Sequence, residues 1–258
     1  MTTSGQSAAG FHRLLTFIEC PRKYGFRYVL LRVPPQAPMA LARGTCLHEG
    51  LAAFYEGRDP NEALNAIGPR EAWQVPNART LINAYMAEYA HDRLDVLAVE
   101  KEHYVTLAGL PFSRRIDLVF RAKGKAWAMD HKTAYDVTRR LASTRYEAAL
   151  FTQQIVLEAT AKEMYGLEFG GFVLNLLGTV SPPQFSRVAL SWPRRMLDEF
   201  IPSLQWWTQQ SKMLEESGLD PFKWPQSRQC QGQYSLCEFY DLCRIGPDGL
   251  YRYAIEEV

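Results

Sequence analysis

The spacing of apolar positions changes along the chain, and the changes mark out its elements. Phe11, Leu14, Leu15 and Ile18 recur at helical spacing, and Pro21 marks a break or the first turn of a second helix. Val33-Pro34-Pro35-Gln36-Ala37-Pro38 is a loop by its prolines. From Ala40 to about Leu97 the pattern is helical, with Leu47, Leu51 and Phe54 on one face and Leu81, Ala84, Tyr85 and Tyr89 continuing beyond Gly68-Pro69. At Glu100 the texture shifts. Glu102–Leu107, Ile116–Phe120 and Ala126–Asp130 are short, rich in β-branched or aromatic residues and separated by Gly109 and Gly124, which predicts an antiparallel meander. A helix is predicted from Thr144 to Tyr165. Gly171–Leu177 suits a buried strand with Phe185–Leu190 as its neighbour, and Pro193 to about Ser217 reads as a helix that Pro202 kinks or splits. Helices, a meander, another helix and further strands predict an α/β core preceded by a helical region.

At 258 residues and 47% hydrophobic content the chain is long and apolar enough to build a real core. No stretch approaches the roughly 20 apolar residues of a membrane span, and the first ten residues lack the apolar centre of a signal peptide. A cytoplasmic location and no membrane partner are expected. The net charge of +1 neither favours nor excludes nucleic acid. Local charge is more informative: Arg13, Arg22, Lys23, Arg27 and Arg32 crowd the first segment, and a second basic block runs from Arg114 to Arg145. Such blocks track phosphate backbones or form solvated faces.

Four of the five cysteines fall in two places. Cys20 stands alone near the start, and Cys230, Cys237 and Cys243 cluster near the end as C-x6-C-x5-C, a pattern that suggests four ligands for one metal centre. Four thiolates suit either an iron-sulfur cubane or structural zinc. Cys46 is left over.

Asp117 lies in the strand Ile116–Phe120, and Asp130 and Lys132 close the next one. Alternation along a strand puts Asp130 and Lys132 on one side with His131 on the other, and a hairpin can bring Asp117 beside them. Converging carboxylates repel, and a hard divalent cation is the usual reason to hold them together. The Lys132 ammonium then orients a water or stabilises charge on phosphorus. An ordinary salt bridge at the strand ends is the plainer alternative.

Ile116-Asp117 followed by Asp130-His131-Lys132-Thr133 resembles the D…(D/E)xKT signature of the PD-(D/E)xK nuclease superfamily, in particular its RecB-type branch. That resemblance implies a restriction-endonuclease-like fold, a central mixed sheet flanked by helices. Gly44-Thr45-Cys46-Leu47-His48 is similar to the branch's G-x-x-x-H element. By this likeness His48, Asp117, Asp130 and the backbone carbonyl of His131 hold one or two Mg²⁺ or Mn²⁺ ions, and Lys132 is the catalytic lysine. The branch's Q-x-x-x-Y element is matched in part by Gln154, with Glu158 in the tyrosine position and Gln153 as the alternative glutamine. Arg114 stands where the family usually has glycine, and Glu102 is either a further acidic neighbour of the metal or a salt-bridging residue. The cysteine pattern is similar to the 4Fe-4S staple of a RecB-like subset that includes CRISPR-adaptation nucleases, the AddB nuclease domain and phage exonucleases. On that likeness Cys20, Cys230, Cys237 and Cys243 bind a cluster that joins the termini, with Zn²⁺ as the alternative.

The implied function is a metal-dependent deoxyribonuclease acting on single-stranded DNA or DNA ends in repair, recombination or processing. The rival is a DNA-binding adaptor or processing subunit of a helicase, recombinase, integrase or CRISPR-adaptation complex with little cleavage of its own. Arg22, Lys23, Tyr24 and Arg27, with Phe26 and Tyr28, are expected to hold phosphates and stack bases, or else to be core. Residues 1–10 are expected to be disordered and 11–258 to form one nuclease domain: a helical part at 11–99, a sheet core with the motifs at 100–190, and a C-terminal helix with the cysteine cluster at 191–258.

Overall fold

A computed structural model describes residues 10–34, 36–144, 147–227, 230 and 236–255. The expected disorder of the first ten residues therefore lies, apart from Gly10, outside the described residues. In chain order the first elements are α1 (Phe11–Glu19), α2 (Pro21–Tyr24), β1 (Arg32–Val33), α3 (Met39–Tyr55), α4 (Pro60–Asn65), α5 (Val75–Glu88), β2 (Asp95–Leu107) and β3 (Leu110–Ala122). There follow β4 (Lys125–Ala134), α6 (Val137–Thr144), α7 (Ala148–Tyr165), β5 (Phe169–Gly178), β6 (Gln184–Leu190), α8 (Arg194–Glu216), α9 (Tyr240–Ile245) and β7 (Ala254–Ile255). The chain divides into two compact units. Unit 1 comprises Met1–Pro38, Thr106–Phe112 and Arg195–Val258, and unit 2 comprises Met39–Val105 and Ser113–Arg194.

Unit 1 is built from both ends of the chain. The apolar stripe of α1 is buried through Phe11, Leu14 and Phe17, with Phe11 stacked on Phe112 at 4.8 Å. Pro21 opens α2, a place where its missing N–H costs nothing. Phe17, Tyr24 and Trp224 form one small core, and Phe26, Phe239, Leu242 and Tyr253 form another against which Cys237 and Cys243 pack. Gly25 permits this closure, since a Cβ there would lie 2.8 Å from Pro221 Cβ. β1 pairs antiparallel with β7, Arg32 facing Ile255 and Val33 facing Ala254, so a backbone ladder joins the two end segments.

Unit 2 carries a five-stranded sheet in the order β2-β3-β4-β5-β6. β3 and β4 are antiparallel, β4 and β5 parallel, and β5 and β6 antiparallel, which makes the sheet mixed and the fold α/β. The predicted meander is present with longer strands. The stretch read as helical up to Leu97 divides into α3, α4 and α5 and gives way to β2 at Asp95. Leu47 and Leu51 of α3, Leu64 of α4 and Ile82 of α5 are buried with Leu177 of the sheet, each contributing roughly 1.5–3 kcal/mol. α7 packs on β4 and β5, and α3 also reaches β4. Asp130 meets α7 while the next residue, His131, meets Tyr55 of α3, so the two helices cover opposite faces. α8 runs through Pro202 as a single element. Among the described residues no helix is long and apolar enough to cross a membrane.

Candidate active site

The site forms where the β3–β4 ladder ends. The pairing runs from Ala122↔Lys125 to Leu118↔Met129. One step further the Asp117 carboxylate accepts a hydrogen bond of 2.8 Å from the His131 backbone N–H. Asp117 and Asp130 are both buried, at 7% and 1% exposure. Lys132 Nζ lies 2.9 Å from Asp130 Oδ2 and donates to Oδ1 at 3.1 Å, the same-face pairing that strand alternation predicts. From α7, Gln153 Nε2 donates to Asp130 Oδ1.

α3 brings His48 to the same place. Its Nδ1 is 3.2 Å from Glu100 Oε1 and 3.5 Å from Asp117 Oδ2. His48, Glu100 and Asp117 each offer a ligand atom, and these atoms lie within 4.8 Å of one another, the arrangement of a cation site. Glu100 reaches it through an unusual backbone: its φ is +46°, a left-handed residue inside β2. For a residue other than glycine that conformation costs roughly 1–2 kcal/mol, and such strain concentrates at functional sites.

The electrostatics follow from burial and crowding. Burial opposes the His48 charge, but Asp117 and Glu100 outweigh it and raise the imidazole to about 9. Asp117 is raised to about 6, first by burial and then by Asp130 and Glu100, against the pull of His48 and Lys132. Asp130, though buried, is held below the ordinary carboxylate value by Lys132, Arg114 and Gln153. Lys132 is held above the ordinary lysine value because Asp130 and Asp117 outweigh its burial, so it stands as an ammonium at neutral pH.

His131 faces the other side. Its ring stacks on Tyr55 at 5.7 Å, and its Nδ1 is 2.8 Å from Asn175 Nδ2, which also donates to Tyr85 Oη at 2.9 Å. Arg187 closes this network with bonds of 2.8 Å to Tyr55 Oη and Tyr85 Oη and an ion pair to Asp92. Burial, with the His48 charge, lowers His131 to about 3. The ring is therefore neutral, and Nδ1 accepts the Asn175 amide hydrogen.

Not every expected residue gathers here. Gln154 donates to Glu158 Oε1 at 2.9 Å, and Gln153 takes the Asp130 contact. Glu102 is the salt-bridging residue, 3.7 Å from Arg115, and Glu100 is the acidic group near the cluster. In unit 1, the residues expected to touch DNA are committed internally. Arg22 Nε donates to the Trp224 carbonyl, Lys23 pairs with Glu19 at 2.9 Å, and Arg27 pairs with Glu238 at 3.1 Å. Tyr24 is buried and donates to Glu215, and Phe26 is a core residue.

The four separated cysteines do come together. Cys20, Cys230, Cys237 and Cys243 line one pocket of unit 1, with Glu19, Lys23 and Tyr240 also in its wall. Burial raises the Cys237 thiol and pushes the Cys243 thiol up to about 11. Cys46 is buried in unit 2 with its thiol 3.6 Å from the Glu71 carbonyl, apart from this set.

A sequence model described as the PD-(D/E)XK nuclease superfamily matches residues 10–244, nearly the whole chain. No curated protein matches in sequence. Among solved structures, the crystal structure of a "Putative exonuclease" from Eubacterium rectale superposes with a TM-score of 0.54 at 12% identity, covering 95% of this chain and 93% of that one. At that identity the likeness speaks for the fold alone. The structure of SSO0001 covers 78% of this chain and 84% of that one at 12% identity, and its TM-score of 0.32 carries no argument.

Proposed function

Because the chain belongs to the PD-(D/E)XK nuclease superfamily, we propose that the unit 2 cluster is the active site of a metal-dependent deoxyribonuclease of RecB type. Its substrate is single-stranded DNA or a DNA end. The observation that carries this reading is the convergence of His48, Glu100 and Asp117 within 4.8 Å beside the Asp130–Lys132 pair.

The residues fit a divalent cation. One imidazole nitrogen and two carboxylates converge, burial and then the neighbouring carboxylates hold Asp117 above the ordinary carboxylate value, and the buried Asp130 Oδ2 is met by the Lys132 ammonium at 2.9 Å without a well-formed hydrogen bond. His48, Glu100, Asp117, Asp130 and the His131 carbonyl are the proposed ligands for Mg²⁺ or Mn²⁺. Such an ion, when bound, acidifies a water and neutralises phosphoryl oxygens. The chain's own groups do the rest. The His131 N–H fixes the Asp117 carboxylate, Gln153 fixes Asp130, and Lys132, already protonated, orients the water and stabilises charge rather than acting as a base. In hydrolysis the water oxygen bonds to phosphorus, the bridging P–O bond breaks, and the leaving oxygen takes the proton.

The cysteine pocket is proposed to hold a 4Fe-4S cluster, with Zn²⁺ as the alternative. Four thiols share one wall. The sequence has no C-x2-C pair of the kind that zinc ribbons use, which favours a cluster. Lys23 in the wall offsets thiolate charge. Binding there is coupled to folding of a unit assembled from both ends of the chain.

The test is Mg²⁺-dependent digestion of end-labelled linear and circular single-stranded DNA. Loss of label from the linear strand with the circle intact supports an exonuclease. Uncut DNA of both kinds sinks the enzyme reading and leaves the adaptor.

A further inference from the structure

Among the described residues, Arg114 of unit 2 has no carboxylate in ion-pair range. It lies in β3 three residues before Asp117, and its charge acts on both Asp130 and Lys132. Its Nε is sealed from water with no hydrogen-bond partner, and among the described residues no carboxylate lies within 4.0 Å of its guanidinium. The neighbouring Arg115, by contrast, has Glu102 at 3.7 Å, and Arg121 has Asp95 at 3.5 Å. The carboxylate on which the Arg114 charge acts, Asp130, already has Lys132 Nζ within 3.1 Å of both oxygens and Gln153 on Oδ1. Other arginines share an unpaired Nε, but Arg114 combines it with a charge that acts on the Asp130–Lys132 pair, and such a buried donor calls for an explanation.

We propose that Arg114 binds the phosphate being hydrolysed, its guanidinium forking onto two non-bridging oxygens. The proposal rests on the nuclease reading above. The planar fork of arginine matches phosphate in two parallel hydrogen bonds, and lysine offers only a point charge. Lys132 and Arg114 then flank Asp130 with two positive groups of different duty. Lys132 is tied to the carboxylate, and Arg114 is the group given over to the substrate. As phosphorus gains a fifth oxygen, charge grows on the non-bridging oxygens, and a fixed guanidinium stabilises that state more than the ground state.

The test uses Arg114→Ala and Arg114→Lys in the full-length chain on end-labelled single-stranded DNA. Mn²⁺ affinity is measured by calorimetry, and affinity for a fluorescent oligonucleotide is measured in Ca²⁺. Arg114→Ala is expected to lower kcat roughly 10²-fold or more with Mn²⁺ affinity unchanged, and added guanidinium ion restores part of the rate. Arg114→Lys recovers only a minor share. An alanine variant within about threefold of wild type, a loss that tracks weakened Mn²⁺ binding, or no rescue by guanidinium overturns the proposal. If wild type cuts nothing, the nuclease reading fails separately, and the affinity decides Arg114: binding weakened about tenfold or more supports a phosphate contact, and unchanged binding overturns it.

Discussion

Replacing Glu100 by glycine separates two effects of one residue. Its left-handed backbone, at φ +46° in β2, costs roughly 1–2 kcal/mol as glutamate, and glycine removes that strain at an entropic cost of about 0.5–1 kcal/mol. The variant also loses the 3.2 Å contact with His48 Nδ1, a partly exposed ion pair worth roughly 0.2–1 kcal/mol. These effects nearly cancel, so without metal the variant is expected within about 1 kcal/mol of wild type. Metal binding behaves differently. At an effective dielectric constant of about 20, unit charges roughly 5 Å apart interact by about 3 kcal/mol. Water in place of the carboxylate recovers part of this, leaving an expected loss of about 10- to 100-fold in Mn²⁺ affinity, or ~1.4–2.7 kcal/mol. Urea denaturation in EDTA reads the first quantity and titration calorimetry the second. Destabilisation beyond about 2 kcal/mol, or wild-type Mn²⁺ affinity, would refute the reasoning.

His48 gives a pH dependence. Its pKa rises from 6.5 in the unfolded chain to about 9, so in the metal-free protein its contribution to stability is fully present below pH 6.5 and is lost as pH rises through about 9. Because a metal must displace that proton, Mn²⁺ affinity should climb up to about tenfold per pH unit below the folded pKa, and a flat affinity between pH 7 and 8 would argue against His48 as a ligand. Arg187→Met removes the ion pair to Asp92 and the bonds to Tyr55 and Tyr85. A loss of about 3 kcal/mol is expected in urea denaturation, and less than about 1 kcal/mol would mean that the network is not structural. Cys20→Ser should abolish the brown absorbance near ~400 nm of a cluster protein and lower thermal stability while leaving Mn²⁺ binding in place. A colourless wild type containing zinc would refute the iron assignment.

The legible parts of this site are those that a local period controls. Alternation along β4 pairs Asp130 with Lys132 and turns His131 away, as the contacts bear out. The chemistry of His48 came only from resemblance, since a single histidine on a helix carries no pattern. Glu100 was hidden because regular alternation does not anticipate a left-handed residue within a strand, and Glu102 in the same strand instead met Arg115. Gln153 and Gln154 differ by about 100° around a helix, and only the seating of α7 on β4 decides which reaches Asp130. Arg27 and Tyr24 are held by Glu238 and Glu215 from the far end of the chain, partners that no local window contains. The mixed sheet was legible as strands, but the parallel pairing of β4 with β5 follows from the crossover through α6 and α7.

The central claim, that the His48, Glu100, Asp117, Asp130 and Lys132 cluster cuts DNA with a divalent cation, is tested most directly by one comparison. End-labelled single-stranded DNA is incubated with Mn²⁺ and either wild type or Asp117→Asn, each with an EDTA control. The account predicts cleavage by wild type that EDTA stops and that Asp117→Asn lacks, although the variant folds. Cleavage that persists in EDTA, or that Asp117→Asn retains at the wild-type rate, would contradict it.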